Sequence, residues 1–107
     1  MQVDCAAATD KASVLHALAL GLRLPEHFGH NLDALYDCLV DLRPAPGATP
    51  GILIVLRDLP AQPTFDPAQR DALLSVFIDA ADAHRARGRP FRVLYSVRGS
   101  ATRAMPG

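Results

Sequence analysis

The sequence lacks the features that mark membrane proteins and secreted, disulfide-bonded proteins. No apolar run approaches the roughly 20 residues of a membrane-spanning helix, and no basic start followed by an apolar segment marks a secretory signal. We therefore expect a cytoplasmic protein. The chain has only two cysteines, Cys5 and Cys38. Without a secretory signal, they are expected to be free, buried thiols rather than a disulfide.

Each sign of charge is also missing from one long segment. No Lys or Arg lies between Leu24 and Leu42, and no Asp or Glu follows Asp82. From Arg85 to Arg103 there are six arginines. The formal net charge of zero therefore hides local fields of opposite sign, which decide how a protein meets charged partners. No basic stripe with interleaved aromatics accompanies the arginines, so they predict no nucleic-acid site; we expect them to solubilise the end of a helix and a strand.

The sequence motifs of common enzymes are absent as well. There is no Ser-His-Asp ordering, phosphate-binding loop, glycine-rich fingerprint or matched carboxylate pair. His16, His27, His30 and Asp33 could suggest a metal site, but their spacing spans the junction of a loop and a helix, and no cysteine joins them. We predict neither catalysis nor a cofactor or metal, and a small metal-dependent enzyme remains a weak alternative.

What is present indicates one folded domain. The chain has 107 residues, half of them hydrophobic, and a chain of this length buries roughly 65% of its unfolded surface. We expect a single domain over 1–98 and a flexible tail over 99–107.

Hydrophobic spacing and cap residues predict the order strand, helix, helix, strand, helix, strand. The predicted strands are 2–6, 52–56 and 91–97, and the helices begin after caps at Thr9 or Asp10, at Asn31 and at Asp66. The continuous apolar run 52–56 is typical of a strand buried on both faces. Strands linked by helices usually run parallel. The expected fold is therefore α/β, a small three-stranded, mostly parallel sheet with helices packed chiefly on one side.

The second predicted helix carries a row of carboxylates, because Asp33, Asp37 and Asp41 recur every four residues. Leucines on the other side form its apolar stripe, at positions 32, 35, 39 and 42. Like charges at this spacing repel by roughly 0.2–0.5 kcal/mol per pair. The row is either an ordinary solvated face or the contact surface for a cationic partner, and the repulsion favours the partner.

The segment from Leu24 to Leu39 reads Leu-Pro-Glu-His-Phe-Gly-His-Asn-Leu-Asp-Ala-Leu-Tyr-Asp-Cys-Leu. It resembles the signature of the barstar family, intracellular protein inhibitors of secreted bacterial ribonucleases. The later run Val76-Phe77-x-Asp79-Ala80 is similar to the family's last helix. The resemblance implies the same small α/β fold.

The resemblance also implies roles for the acidic residues. Asp33 and Asp37 match positions that face the nuclease, and Asp37 matches the one that enters its active site, where a carboxylate stands in for a substrate phosphate. Asp41 continues the row. Asp79 matches an acidic position at the rim of the interface, and Asp82 is a neighbouring candidate.

In the loop before the helix, His27, Phe28 and Gly29 match residues that lie over the nuclease mouth. We expect Gly29 to adopt a positive φ. His27 departs from the usual aromatic. Phe28 has a second interpretation, as an inward-packing staple for the helix.

Three positions on or beside the helix complete the predicted site. Asn31 is favoured as a helix cap over a contact, and it can serve as both. Tyr36 replaces the tryptophan usual at its position and is expected at the interface or beneath it. Val40 departs from a hydroxyl residue, and simple packing at the edge of the core is its favoured interpretation.

The leading hypothesis is therefore an inhibitor of a cationic bacterial ribonuclease or related toxin, which blocks the active site with loop 27–30 and the acidic helix 31–42. Its partner would be a protein, with no direct contact to nucleic acid or membrane, and the free chain would be a monomer. The alternative is a barstar-like binding module whose partner is not a ribonuclease, an interpretation favoured by the departures at His27, Tyr36 and Val40.

Overall fold

The computed structural model describes residues 1–26, 28–44, 51–61 and 63–105. Its elements follow the predicted order, with one short strand added at the end. They are β1 (Gln2–Asp4), α1 (Lys11–Gly21), α2 (Leu32–Val40), β2 (Ile52–Leu59), α3 (Pro67–Ala86), β3 (Phe91–Val97) and β4 (Arg103–Ala104).

The strands form one sheet in the order β1-β2-β3-β4. β2 pairs in parallel with both β1 and β3, so the predicted mostly parallel sheet is confirmed. β4 lies antiparallel to β3, with Ala104 opposite Leu94 and Arg103 opposite Tyr95. No regular structure was predicted after residue 98, yet part of this segment extends the sheet. Flexibility of the segment 99–107 stays a prediction, and its last two residues lie outside the described residues.

The helices cover one face of the sheet, as predicted. Ile54 and Leu56 of β2 are fully buried, whereas Leu53 between them is 51% exposed. The prediction that the run 52–56 is buried on both faces is therefore wrong. Apolar side chains alternate between the two faces of a strand, and the outward face of this sheet has no helix over it.

The helix starts are set by local capping, as the sequence predicted. Asp10, rather than Thr9, caps α1, accepting a hydrogen bond from the Ser13 amide at 2.9 Å. Asn31 Oδ1 accepts from the Ala34 amide at 2.8 Å, and Asp66 caps α3 with Pro67 at its first position. These caps satisfy amides that have no partner within the helix.

The core lies between the sheet and the helices, and it fixes α2 against α3. Leu35 and Leu39 of α2 are fully buried, as is Phe77 of α3. Both cysteines are free, as predicted; Cys5 is buried and Cys38 is half-buried. Among the helices that the structure describes, none is long and apolar enough to cross a membrane.

Candidate functional site

The carboxylate row of α2 lies on the surface. Asp33, Asp37 and Asp41 are all exposed, while Leu35 and Leu39 on the opposite side of the helix are buried in the core. This packing sets the rotation of α2 and therefore turns the three carboxylates outward. Asp33 lies in the first turn and Asp41 is the C-cap, so the row runs the whole length of the helix.

A groove of about 750 Å³ runs between α2 and α3. Two carboxylates come from each helix, Asp33 and Asp37 from α2 and Asp79 and Asp82 from α3. We call this the acidic groove. Its other lining residues are Leu32, Tyr36, Val76 and Ala83. The structure thus brings together residues from the two segments that were predicted separately to face a partner.

Most of these carboxylates have no cation of their own. In the described ranges, no side chain donates a hydrogen bond to the carboxylate of Asp33, Asp37 or Asp79. Asp82 forms an ion pair with Arg85 at 2.8 Å, and both side chains are more than half exposed. Exposed pairs of this kind are weak. The groove therefore presents a negative field, and the described residues neutralise it with an ion pair at one edge alone.

A second cavity, of about 340 Å³, lies on the other side of α2. The loop before the helix forms one wall, and Asp37, Cys38 and Asp41 are among the residues of the other. Asp37 thus borders both cavities, on the ridge between them, whereas Asp41 borders only this second one. The carboxylates of the row therefore line two separate cavities rather than one continuous surface.

Cys38, beside these acids, is not an activated nucleophile. Burial raises the pKa of its thiol, and the nearby negative charges of Asp41 and Asp37 raise it further. A thiol whose pKa is raised stays protonated at neutral pH, and the protonated form is the unreactive one.

The loop before α2 differs from its prediction. His27 lies outside the described residues. Phe28 is only 5% exposed and belongs to the core, so its side chain takes the inward-packing role rather than facing a partner in this structure. Positive φ occurs at His30, at 50°, and not at Gly29. At Gly29 a Cβ would lie 3.0 Å from Asn31 Nδ2, so glycine there permits a close approach.

The remaining predicted positions lie around the acidic groove and at the end of α2. Asn31 is exposed and caps the helix. Tyr36 is 36% exposed and lines the groove. Val40 is partly buried against the core, the packing role that was favoured for it.

Sequence reasoning missed a group at the end of α3. His84 is fully buried, and its Nε2 lies 2.8 Å from the Leu39 carbonyl oxygen of α2. Arg87 and Arg89 donate to the carbonyls of Val40 and Leu42, at 3.1 and 3.4 Å. The burial of His84 had a signal in the sequence, because it follows Phe77 and Ala80 at helical spacing. Nothing in the sequence indicated which carbonyls the two arginines contact.

The histidines and acids do not assemble into a metal site in the part of the chain that the structure covers. No group of three or more His, Cys, Asp or Glu side chains there could hold a metal ion. His16 and His30 stack with their ring centroids 6.4 Å apart.

Comparison with known protein families shows the family to which this chain is similar. Residues 1–96 match the family described as Barstar (barnase inhibitor). The chain belongs to the barstar family. The match includes both helices of the acidic groove, β1, β2 and all but the last residue of β3, so the resemblance seen in one segment extends over most of the chain. The family is one of inhibitors that bind a protein, rather than of enzymes. A search of curated proteins gives no match.

Proposed function

We propose that this protein inhibits a cationic bacterial ribonuclease by covering its active site with α2 and the acidic groove. One observation carries the proposal: Asp33, Asp37, Asp79 and Asp82 line a single groove, and the only ion pair that one of them makes within the described ranges is the exposed one to Arg85. A nuclease that holds RNA phosphates with Arg and His side chains offers the complementary charge.

Asp37 is the residue expected to enter the active site. It lies on an exposed ridge of a helix whose underside is fixed in the core. Its carboxylate can accept charge-assisted hydrogen bonds from the groups that would otherwise hold a phosphate. Because such bonds are strong when water is excluded, removing one partner typically costs several kcal/mol of binding.

The other predicted contacts take supporting roles in this proposal. Gly29 and Asn31 lie directly before α2, which forms one wall of the groove, and the loop at His27 and Phe28 contributes through its backbone, since the Phe28 ring is buried. Tyr36 supplies an aromatic surface inside the groove. Asp41 and Asp79 add charge at the edges, which mainly accelerates association. In this role the protein acts in the cytoplasm as a monomer and meets the nuclease before it is secreted.

The test is inhibition of RNA cleavage by barnase and by a panel of other secreted bacterial ribonucleases. We expect the parent to block at least one of them, and Asp37→Ala to weaken that inhibition by about 100-fold or more. Asp71→Ala is the matched control, since Asp71 is an exposed acid of α3 outside the groove. Equal inhibition by Asp37→Ala and the parent would contradict the site assignment.

The second candidate is a barstar-like module that binds a protein other than a ribonuclease. It is favoured by Tyr36, which presents a smaller aromatic inside the groove than the family's usual tryptophan, and by Val40, whose side chain lacks the usual hydroxyl. This function predicts that no ribonuclease of the panel is inhibited, while a cationic host protein co-purifies with the parent and not with Asp37→Ala.

A further inference from the structure

The C-terminal end of α2 is held by side chains from outside the helix. The carbonyls at the end of a helix lack most of their partners within it. Here the four from Leu39 to Leu42, which include the C-cap Asp41 and the residue after it, each accept a side-chain hydrogen bond. Arg43 reaches back to the carbonyls of Asp41 and Leu42. The other donors, His84, Arg87 and Arg89, come from the end of α3. We call these three residues the carbonyl clamp.

The partners of His84 define which of its ring nitrogens donates and which accepts. The Leu39 carbonyl can only accept, so the Nε2 atom 2.8 Å away carries the proton. Arg89 can only donate, and its Nη1 lies 3.3 Å from Nδ1, so Nδ1 is the acceptor. The ring is fully buried and stacks on Phe91, with centroids 4.7 Å apart. A ring that donates through Nε2 and accepts at Nδ1 satisfies both hydrogen bonds at this position.

From these contacts we infer that His84 is a positioning residue: with Arg87 and Arg89 it sets the position of the last turn of α2, and thereby of Asp37 and Asp41. α2 has nine residues, and a helix this short is not stable by itself. Asn31 fixes its start, and Leu35 and Leu39 fix its underside in the core, whereas the clamp holds the backbone carbonyls of its last turn from outside.

The last turn is coupled directly to the ridge residue. The Asp41 amide donates to the Asp37 carbonyl at 3.3 Å, and the Leu42 amide to the Leu39 carbonyl at 3.2 Å. Both bonds are long for backbone hydrogen bonds. The clamp acts on the same turn from outside, so its loss loosens the backbone that carries the two carboxylates.

The clamp has a second effect on the site. Its two arginines donate to carbonyl oxygens and not to the carboxylates nearby. Positive charge at the C-terminal end of a helix is favourable because of the helix dipole. The clamp therefore uses cations to hold the acidic helix without pairing its acids.

The experiment is amide hydrogen exchange of the free protein, resolved by residue. We expect His84→Phe, which keeps a ring against Phe91 but removes both polar contacts, to speed exchange of the amides of 39–42 by about tenfold or more relative to those of α1. His84→Gln, which can donate and accept, restores most of the protection. Arg87→Ala removes one exposed member of the clamp without disturbing the core, and it gives a smaller increase confined to the same turn.

Arg85→Ala is the matched control, because Arg85 lies in the same part of α3 and pairs with Asp82 rather than with α2; it should leave the exchange of α2 unchanged. The inference is overturned if His84→Phe and Arg87→Ala raise exchange in α1 and α2 equally, or if His84→Gln gives no rescue. The consequence for inhibition rests on the proposed function, whereas the exchange measurement needs no nuclease. Failure of inhibition and failure of the clamp are therefore separate results.

Discussion

The acidic groove and the arginine-rich end of the chain use their charges in opposite ways. Three of the groove's four carboxylates, those of Asp33, Asp37 and Asp79, accept no side-chain hydrogen bond in the described part of the chain. Three arginines at the other end, Arg87, Arg89 and Arg98, donate to backbone carbonyls: Arg98 Nη2 alone lies 2.6 Å from the Ala6 carbonyl and 3.0 Å from that of Ala8. A net charge of zero thus coexists with an open acidic face, because carbonyl oxygens hold the cations.

This comparison corrects the expectation that the arginines mainly solubilise a helix end and a strand. Arg87 and Arg89 hold α2, and Arg98 ties the end of β3 to the loop after β1. Arg87, Arg89 and Arg98 are structural, and the acids of the groove are available to a partner.

Among substitutions of the arginines, Arg98→Ala is expected to have the largest effect, a lower free energy of unfolding. Hydrogen bonds from a charged group contribute about 1.5–3 kcal/mol, and this side chain makes three, to Cys5, Ala6 and Ala8. We expect the free energy of unfolding in urea to fall by about 2 kcal/mol, with inhibition at low temperature unchanged. Arg103→Ala is the control, since Arg103 is exposed on β4. If both substitutions have the same small effect, Arg98 does not tie the strands together.

A next effect concerns the rate at which the acidic groove meets its partner. For the ribonuclease that the parent inhibits, we expect the association rate to fall about tenfold or more as salt rises from about 50 to about 500 mM. The double change Asp79→Asn with Asp82→Asn should flatten this dependence and slow association at low salt, with little change in dissociation. Asp71→Asn serves as the control. If the double variant kept the salt dependence of the parent, the carboxylates of α3 would make no contribution to electrostatic steering.

A smaller effect is expected at Cys38, whose thiol pKa responds to the negative charges on the other side of α2. Burial, Asp41 and Asp37 raise the pKa of this thiol, so Asp41→Asn and Asp37→Asn should lower it toward its ordinary value. More thiolate then forms at pH 8, and alkylation by the neutral reagent iodoacetamide should become about twofold faster or more. Cys5 interferes little, because its pKa is raised to about 11. Asp33→Asn should leave the rate unchanged, and an equal increase there would show that the response is not local.

The smallest effect is expected at the ion pair between Arg85 and Asp82, where the acidic groove meets the arginine-rich end of the chain. Arg85→Ala removes the exposed ion pair with Asp82, which contributes at most about 0.5–1 kcal/mol. Stability in urea should therefore stay nearly constant, while association with the inhibited ribonuclease at low salt becomes about twofold faster, because Asp82 loses its cation. A large loss of stability, or slower association, would mean that Arg85 belongs with the structural arginines.

Features set by neighbouring residues could be predicted from the sequence. Asn31 and Asp66 were identified as helix caps, and Asp10 as one of two candidates with Thr9, because a cap depends on an amide three residues away. The outward row of Asp33, Asp37 and Asp41 followed from helical spacing alone, as did the inward stripe of leucines.

Features that depend on distant parts of the chain could not be predicted. The exposure of Leu53 depends on which face of the sheet the helices cover. Arg103 and Ala104 form a strand because β3 offers them an edge, although two residues carry no strand pattern. Arg87 and Arg98 donate to carbonyls 47 and 90 or more residues away, and a backbone acceptor leaves no trace in residue identity. Only His84 gave a usable signal, through its spacing.

The contacts of Arg98 also bear on the order in which the fold can be completed. Its guanidinium joins residues more than 90 positions apart, and β1 pairs with β2, which the ribosome makes about 50 residues later. During translation the first strand therefore has no sheet to join until half the chain exists, and the turn that follows it gains this tie only after β3 has emerged. The chain carries all of its acids before the arginines from Arg85 to Arg103 are made, so the proposed function requires a nearly finished molecule to bind a cationic ribonuclease securely.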